Sequence, residues 1–144
     1  MVDFSNFRSA DITGKTAEYV IPGVTGAAPI LTLKPATEEN TPYFNAMLAK
    51  LSQADIQAYA RAKNSSPAAR KAQRDVFREI LPAYVVTGWR GVVDAAGAAV
   101  AFDPGAAVAL FAQLPDWVID EIVGFAAERS NFFDVPAPGV VAGN

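Results

Sequence analysis

The pattern of apolar and polar positions changes period along the chain. Ala17-Glu18-Tyr19-Val20-Ile21 and Ala28-Pro29-Ile30-Leu31-Thr32-Leu33 are rich in β-branched and aromatic residues, and Pro22-Gly23-Val24-Thr25-Gly26 separates them. Two such runs around a cluster of turn formers predict a strand pair. Pro29 should hold the second strand to an edge near its start, because proline cannot donate to a ladder. After Pro35 the period lengthens. Thr41-Pro42 predicts a helix with Thr41 as its cap, and Phe44, Met47, Leu48 and Leu51 then fall on one face. From Ser52 to Lys63 the pattern fits either a continuation or a second helix, with Ile56, Tyr59 and Ala60 on its apolar side. Ser66-Pro67 repeats the start signal. Ala69, Ala72, Val76, Phe77 and Ile80 form a stripe there, mostly opposite Arg70, Lys71, Arg74 and Arg78, and this helix should end near Leu81-Pro82.

The next stretch, VVTGWRGVVDAAGAAVAFDP, predicts a hairpin in which Tyr84–Val93 pairs with Ala98–Phe102. Asp94 and Gly97 supply the turn: the carboxylate can bond its own backbone, and the glycine is free to take positive φ. Gly88 and Gly91 flank Trp89 and are expected to make room for the indole, which is read as a core ring ahead of an exposed anchor. Two helices follow. Asp103-Pro104 opens one with Val108, Phe111 and Leu114 inward. Pro115-Asp116 opens another with Val118, Ile119, Ile122, Val123 and Ala126 inward, stopping before Asn131. The fold class is therefore α+β, a mainly helical domain with an N-terminal strand pair and a Trp-containing β-hairpin. Residues 1–16 form an N-terminal arm, 17–133 one domain, and 134–144 a flexible tail rich in proline and glycine.

Composition narrows the chemistry. A chain of 144 residues that is 51% hydrophobic has material for one ordinary core. It has no cysteine and no histidine, which removes thiolate nucleophiles, disulfides, Cys/His zinc sites and the commonest general base at neutral pH. No apolar run approaches a membrane span, and the first residues lack a basic region followed by an apolar one. A protein of the cytoplasm is expected, without a membrane partner. The net charge of −3 is unevenly spread: residues 35–82 carry seven basic and five acidic side chains, residues 83–144 two basic and seven acidic. The basic middle is interleaved with acids and lacks aromatic residues for base stacking, so a solvated helix face is favoured over a nucleic-acid surface. Glu38-Glu39 and Asp120-Glu121 are neighbours that point apart on a helix and form no catalytic constellation. Neither an enzyme nor a cofactor is expected.

The order of these features has a counterpart. A β-like start, the segment Pro35-Ala36-Thr37-Glu38-Glu39-Asn40-Thr41-Pro42-Tyr43-Phe44-Asn45-Ala46, helices, Gly88-Trp89-Arg90-Gly91 with Asp94 and Gly97, Pro104, and a last helix ending in Asn131-Phe132-Phe133 resemble the tail assembly chaperones of long-tailed bacteriophages. The resemblance covers roughly residues 17–133. It implies a non-enzymatic protein of the host cytoplasm that binds the tape measure protein and recruits tail tube subunits during polymerisation. Homo-oligomerisation is open. A structural virion component, such as a head-tail connector or tail terminator subunit, is the alternative. A chaperone of this kind needs apolar surface for partner helices, and Tyr43, Trp117, Phe132 and Phe133 are the candidates, with Phe44 assigned to the core. Asp116, Asp120 and Glu128 are expected to keep that region soluble.

Overall fold

Leu31 and Leu33 have no solvent exposure, because the strand that carries them is paired on both sides. In the computed structural model, which describes residues 10–51 and 67–134, β1 (Ala17–Val20), β2 (Ile30–Leu33) and β3 (Val86–Arg90) form an antiparallel sheet in the order β1-β2-β3. The N-terminal strand pair is as expected, but its second strand is central rather than an edge. Pro29 permits this because it lies one residue outside the ladder, where its carbonyl still accepts from the Ile21 amide at 2.9 Å. Opposed residues share a face. Tyr19, Leu31 and Trp89 are aligned across the sheet on its inner side, and Glu18, Thr32 and Gly88 on its outer side.

Among the described residues four helices follow this sheet or are interleaved with it: α1 (Thr41–Leu51), α2 (Pro67–Tyr84), α3 (Pro104–Gln113) and α4 (Asp116–Ala127), with a 3-10 turn at Arg129–Phe132. The fold is the mainly helical α+β class read from the sequence. Ile80 and Leu81 of α2, Phe111 of α3 and Val118, Ile119, Ile122 and Ala126 of α4 pack with the inner sheet residues into one core. Burying a Leu, Ile or Phe side chain contributes about 1.5–3 kcal/mol each, so these stripes hold the helices in place. The stripe of α3 is Ala107, Phe111 and Leu114; Val108, expected inward, lies about 100° round the helix from Ala107 and is exposed. On α1, Phe44 and Met47 pack against the core, whereas Leu48 is exposed. Ile12, within the expected arm, is buried. The alternatives for Ser52–Lys63 and nearly all of the expected tail fall outside the described residues.

Asn40 joins two helices. Its side-chain oxygen accepts from the Tyr43 amide at 3.4 Å, and its carbonyl accepts the first helical bond of α1, from Phe44 at 2.9 Å. The cap is therefore Asn40, not Thr41, which becomes the first helical residue. Its amide nitrogen donates to the Pro35 carbonyl at 3.0 Å and to the Tyr84 carbonyl at 2.9 Å. The second bond satisfies a carbonyl at the end of α2. That helix runs through Pro82 to Tyr84, past the expected end at Leu81-Pro82. Its last turn stays closed by the Val85 amide on the Leu81 carbonyl (2.9 Å), and the Lys34 amide meets the Val85 carbonyl (2.8 Å). A proline forfeits one helical bond, and tertiary partners of this kind offset the loss.

The basic and acidic thirds meet along the surface between α2 and α4. Arg74 grips Asp120 with two bonds, at 3.1 and 2.7 Å, and Arg78 donates to Asp116 at 2.7 Å and to the Phe111 carbonyl near the end of α3. Both arginines are about four-fifths buried. The i,i+4 spacing on α2 matches the same spacing on α4, so one ladder fixes both helices and the corner before Asp116. Asp116 and Asp120, expected to keep this region soluble, remain exposed at 63% and 51% while each pairs with an arginine of α2.

Candidate functional site

The β1–β2 turn and the start of α4 come together around Trp117. Pro115 ends the preceding corner with extended backbone, and α4 then begins at Asp116, which places Trp117 in the first turn on the side away from the buried Val118 and Ile119. The indole is 51% exposed. A Cβ built on Gly23 would lie 3.8 Å from its Cζ2, so the glycine of the turn sits against the ring's edge. Val24, next in the turn, is itself exposed. One helical turn beyond Trp117, Glu121 accepts from the Tyr19 hydroxyl at 3.1 Å through Oε2. Burial, and then the Glu121 carboxylate, push the Tyr19 phenol up to about 12. The Tyr19 ring lies 5.2 Å from that of Phe125 on the same helix. Strand, turn and helix thus present the exposed Trp117 and Val24, with the Glu121 carboxylate one turn along α4 held by Tyr19.

The other aromatic candidates are placed differently. Tyr43 is buried, and its hydroxyl donates to the Met47 sulfur at 3.4 Å, because the Asn40 cap turns this first-turn residue inward. Phe132 is also buried, with its ring 6.4 Å from Phe125. The exposure expected after the helix end is not found, because Glu128 caps the 3-10 turn through the Ser130 amide and folds the chain back onto α4. Glu128 is therefore a cap as well as an exposed charge. Phe133 is half-buried. The fold does not gather Tyr43, Phe132 and Phe133 with Trp117 into one aromatic surface. Glu121, Gly23 and Val24 were not singled out from the sequence as surface residues, and no local pattern marks them. The Tyr19–Glu121 bond joins positions 102 residues apart.

The Trp89 segment is a shorter hairpin than expected. Its ladder partner is β2, and the Ala98–Phe102 stretch does not form a strand beside it. Gly91, at φ +79°, takes the chain off the ladder. A Cβ there would sit in close contact with Pro29 Cα at 3.4 Å, so it is the left-handed backbone rather than a lack of space that calls for glycine. Beyond it, a single bridge pairs Val93 with Ala99. Asp94 closes the turn by accepting from the Ala96 and Ala98 amides, both at 2.9 Å, and Gly97 takes φ +83°. Trp89 is half-buried: its ring meets Phe102 edge-on at 5.1 Å, and its Nε1 donates to the Val100 carbonyl at 2.8 Å. Gly88 has neither a positive φ nor a neighbour within 4 Å of a built Cβ, so the room ascribed to it is not used by the indole.

A concavity of about 200 Å³ lies near Lys15, Lys34, Glu39 and Thr41, and Trp117 does not line it. Lys15 pairs with Asp134 at 2.8 Å, and Arg129 holds Glu39 through two bonds, at 2.7 and 3.3 Å. Arg129 first, then Thr37, lower the Glu39 carboxyl to about 2. Arg129 thus clips the 3-10 turn to the β2–α1 loop, and Asp134 after it is held to the segment before β1. Among the described residues no acidic group is arranged to hold a metal, and no helix is long and apolar enough to cross a membrane.

No curated protein and no solved structure shows a significant match to the chain. One family profile does match, across residues 39–136, from the Glu39 clip and the Asn40 double cap through the hairpin, the arginine ladder and the whole of α4. That span is more than half of the sequence, and the chain belongs to the YdaY prophage protein family.

Proposed function

We propose that this prophage protein is a non-enzymatic tail assembly chaperone of the host cytoplasm, which binds the tape measure protein and brings tail tube subunits to it during polymerisation. The observation that carries the reading is the half-exposed Trp117 beside Gly23 and Val24. Isolated exposed apolar residues are ordinary, but an exposed tryptophan set against a turn whose next residue is an exposed valine is the kind of feature that anchors a partner. Prophage membership supplies the setting, and the resemblance noted in the sequence supplies the partners.

The test is co-expression of the full chain with the tape measure and tail tube proteins of the same prophage, followed by affinity capture and by analysis of purified particles. Capture of the tape measure protein, with this chain absent from finished particles, is expected. Stoichiometric incorporation into particles would instead make it a structural virion component.

A further inference from the structure

Resting on that reading, we propose that the seam between α4 and the β1–β2 turn takes a partner helix bearing a large apolar side chain and, one turn away, a lysine or arginine. Trp117 and Val24 offer the apolar contact, at 51% and 41% exposure. Glu121 follows Trp117 by four residues, which places it about 6 Å further along the same face of α4. The Tyr19 hydroxyl holds Oε2 at 3.1 Å and so orients the carboxylate, while Oε1 has no partner among the described residues. The acids on either side of Trp117 are already matched: Asp116 to Arg78, and Asp120 to Arg74. Glu121 is the acid at the seam that pairs with no cation among the described residues, and charge complementarity selects a cation to meet it. Positions i and i+4 of a helix reproduce the same spacing, so one amphipathic helix can meet the indole and the carboxylate together.

The experiment titrates the full-length chain into fluorescently labelled peptides that tile the tape measure and tail tube proteins of the same prophage, read by anisotropy. Peptides that bind should carry an apolar residue with Lys or Arg three or four positions away. Trp117→Ser should weaken them by about 30-fold or more, as expected of an anchoring tryptophan. Glu121→Gln, which keeps an acceptor for Tyr19, should weaken them by about 5-fold, an effect that shrinks at high salt. Changing the peptide's Lys or Arg to Gln should abolish the difference between wild type and Glu121→Gln. Val108→Ser, at an equally exposed apolar position on α3, should change nothing. Binding that ignores both Trp117→Ser and Glu121→Gln would overturn the seam and leave the chaperone reading intact. No binding by the wild type to peptides or whole partners would remove both. Should Trp117→Ser fail to fold, the Glu121–peptide cycle decides, and zero coupling there overturns the proposal.

Discussion

Asn40 offers the sharpest test of how the fold is held. It is 7% exposed and serves three backbone groups at once: the Tyr43 amide as acceptor, and the Pro35 and Tyr84 carbonyls as donor. Replacing it with alanine removes a cap, worth about 1 kcal/mol. It also strands two carbonyls, at about 1–3 kcal/mol each, with the lower end applying to Tyr84, whose bond is only partly buried. The sum for Asn40→Ala is about 3–5 kcal/mol, which lowers the melting temperature by about 10–20 °C for a domain of this size.

Two further variants divide that total. Asn40→Ser retains a cap acceptor and should lose about 2–4 kcal/mol, the carbonyl share. Asn40→Asp keeps the cap and adds a charge favoured at a helix start, but turns an acceptor towards two carbonyls, so it should be no better than alanine. Denaturant unfolding followed by circular dichroism measures all three. An Asn40→Ala variant within about 0.5 kcal/mol of wild type, or an Asn40→Asp variant equal to it, would refute the double-cap account.

Other consequences can be checked on the same preparation. Gly91→Ala should cost at least about 1–2 kcal/mol for the left-handed backbone alone, whereas Gly88→Ala should be tolerated, as measured by urea midpoints. Trp89→Phe should lose about 1 kcal/mol, that of its bond to Val100, and Trp89→Ala more, through the contact with Phe102; equal losses would show that the ring contact contributes nothing. Glu39 has a carboxyl lowered to about 2, so its contribution is present above the ordinary glutamate range near 4.5 and is lost as pH falls towards 2. Stability measured across that window should fall less steeply in Arg129→Gln than in wild type, and parallel curves would remove the clip as the cause.

How much of this was legible in the sequence depends on where each residue's partners lie. The stripes of α2 and α4 were readable because their apolar positions recur within one helix, and Asp103 was readable as a cap because it bonds Ala106, three residues on. The sheet order was not. β3 lies more than fifty residues from β2, and the local turn at Asp94 suggested the nearer partner instead. Asn40 was overlooked beside Thr41-Pro42 because its second role depends on Tyr84, 44 residues away. Phe132 read as exposed because a helix end usually frees its flanking residues, and the 3-10 turn that folds it back is too short to show a period.

The charge pattern shows the same limit and bears directly on the surface. Segment by segment, the sequence suggests a basic helix facing solvent and an acidic C-terminal third able to attract basic partners over a distance. In three dimensions Arg74 and Arg78 consume Asp116 and Asp120, and Arg129 consumes Glu39, so much of that asymmetry is satisfied internally at contact range. Paired charges project little field beyond a Debye length of about 8–10 Å. Recognition at Trp117 therefore cannot rest on a broad acidic field; it falls to short-range contact with the indole and Val24, with Glu121 fixing which end of a partner helix lies where. Affinity at this seam should accordingly change little with salt for the wild-type chain, by about the worth of one exposed pair, while loss of the indole should cost the same at every ionic strength.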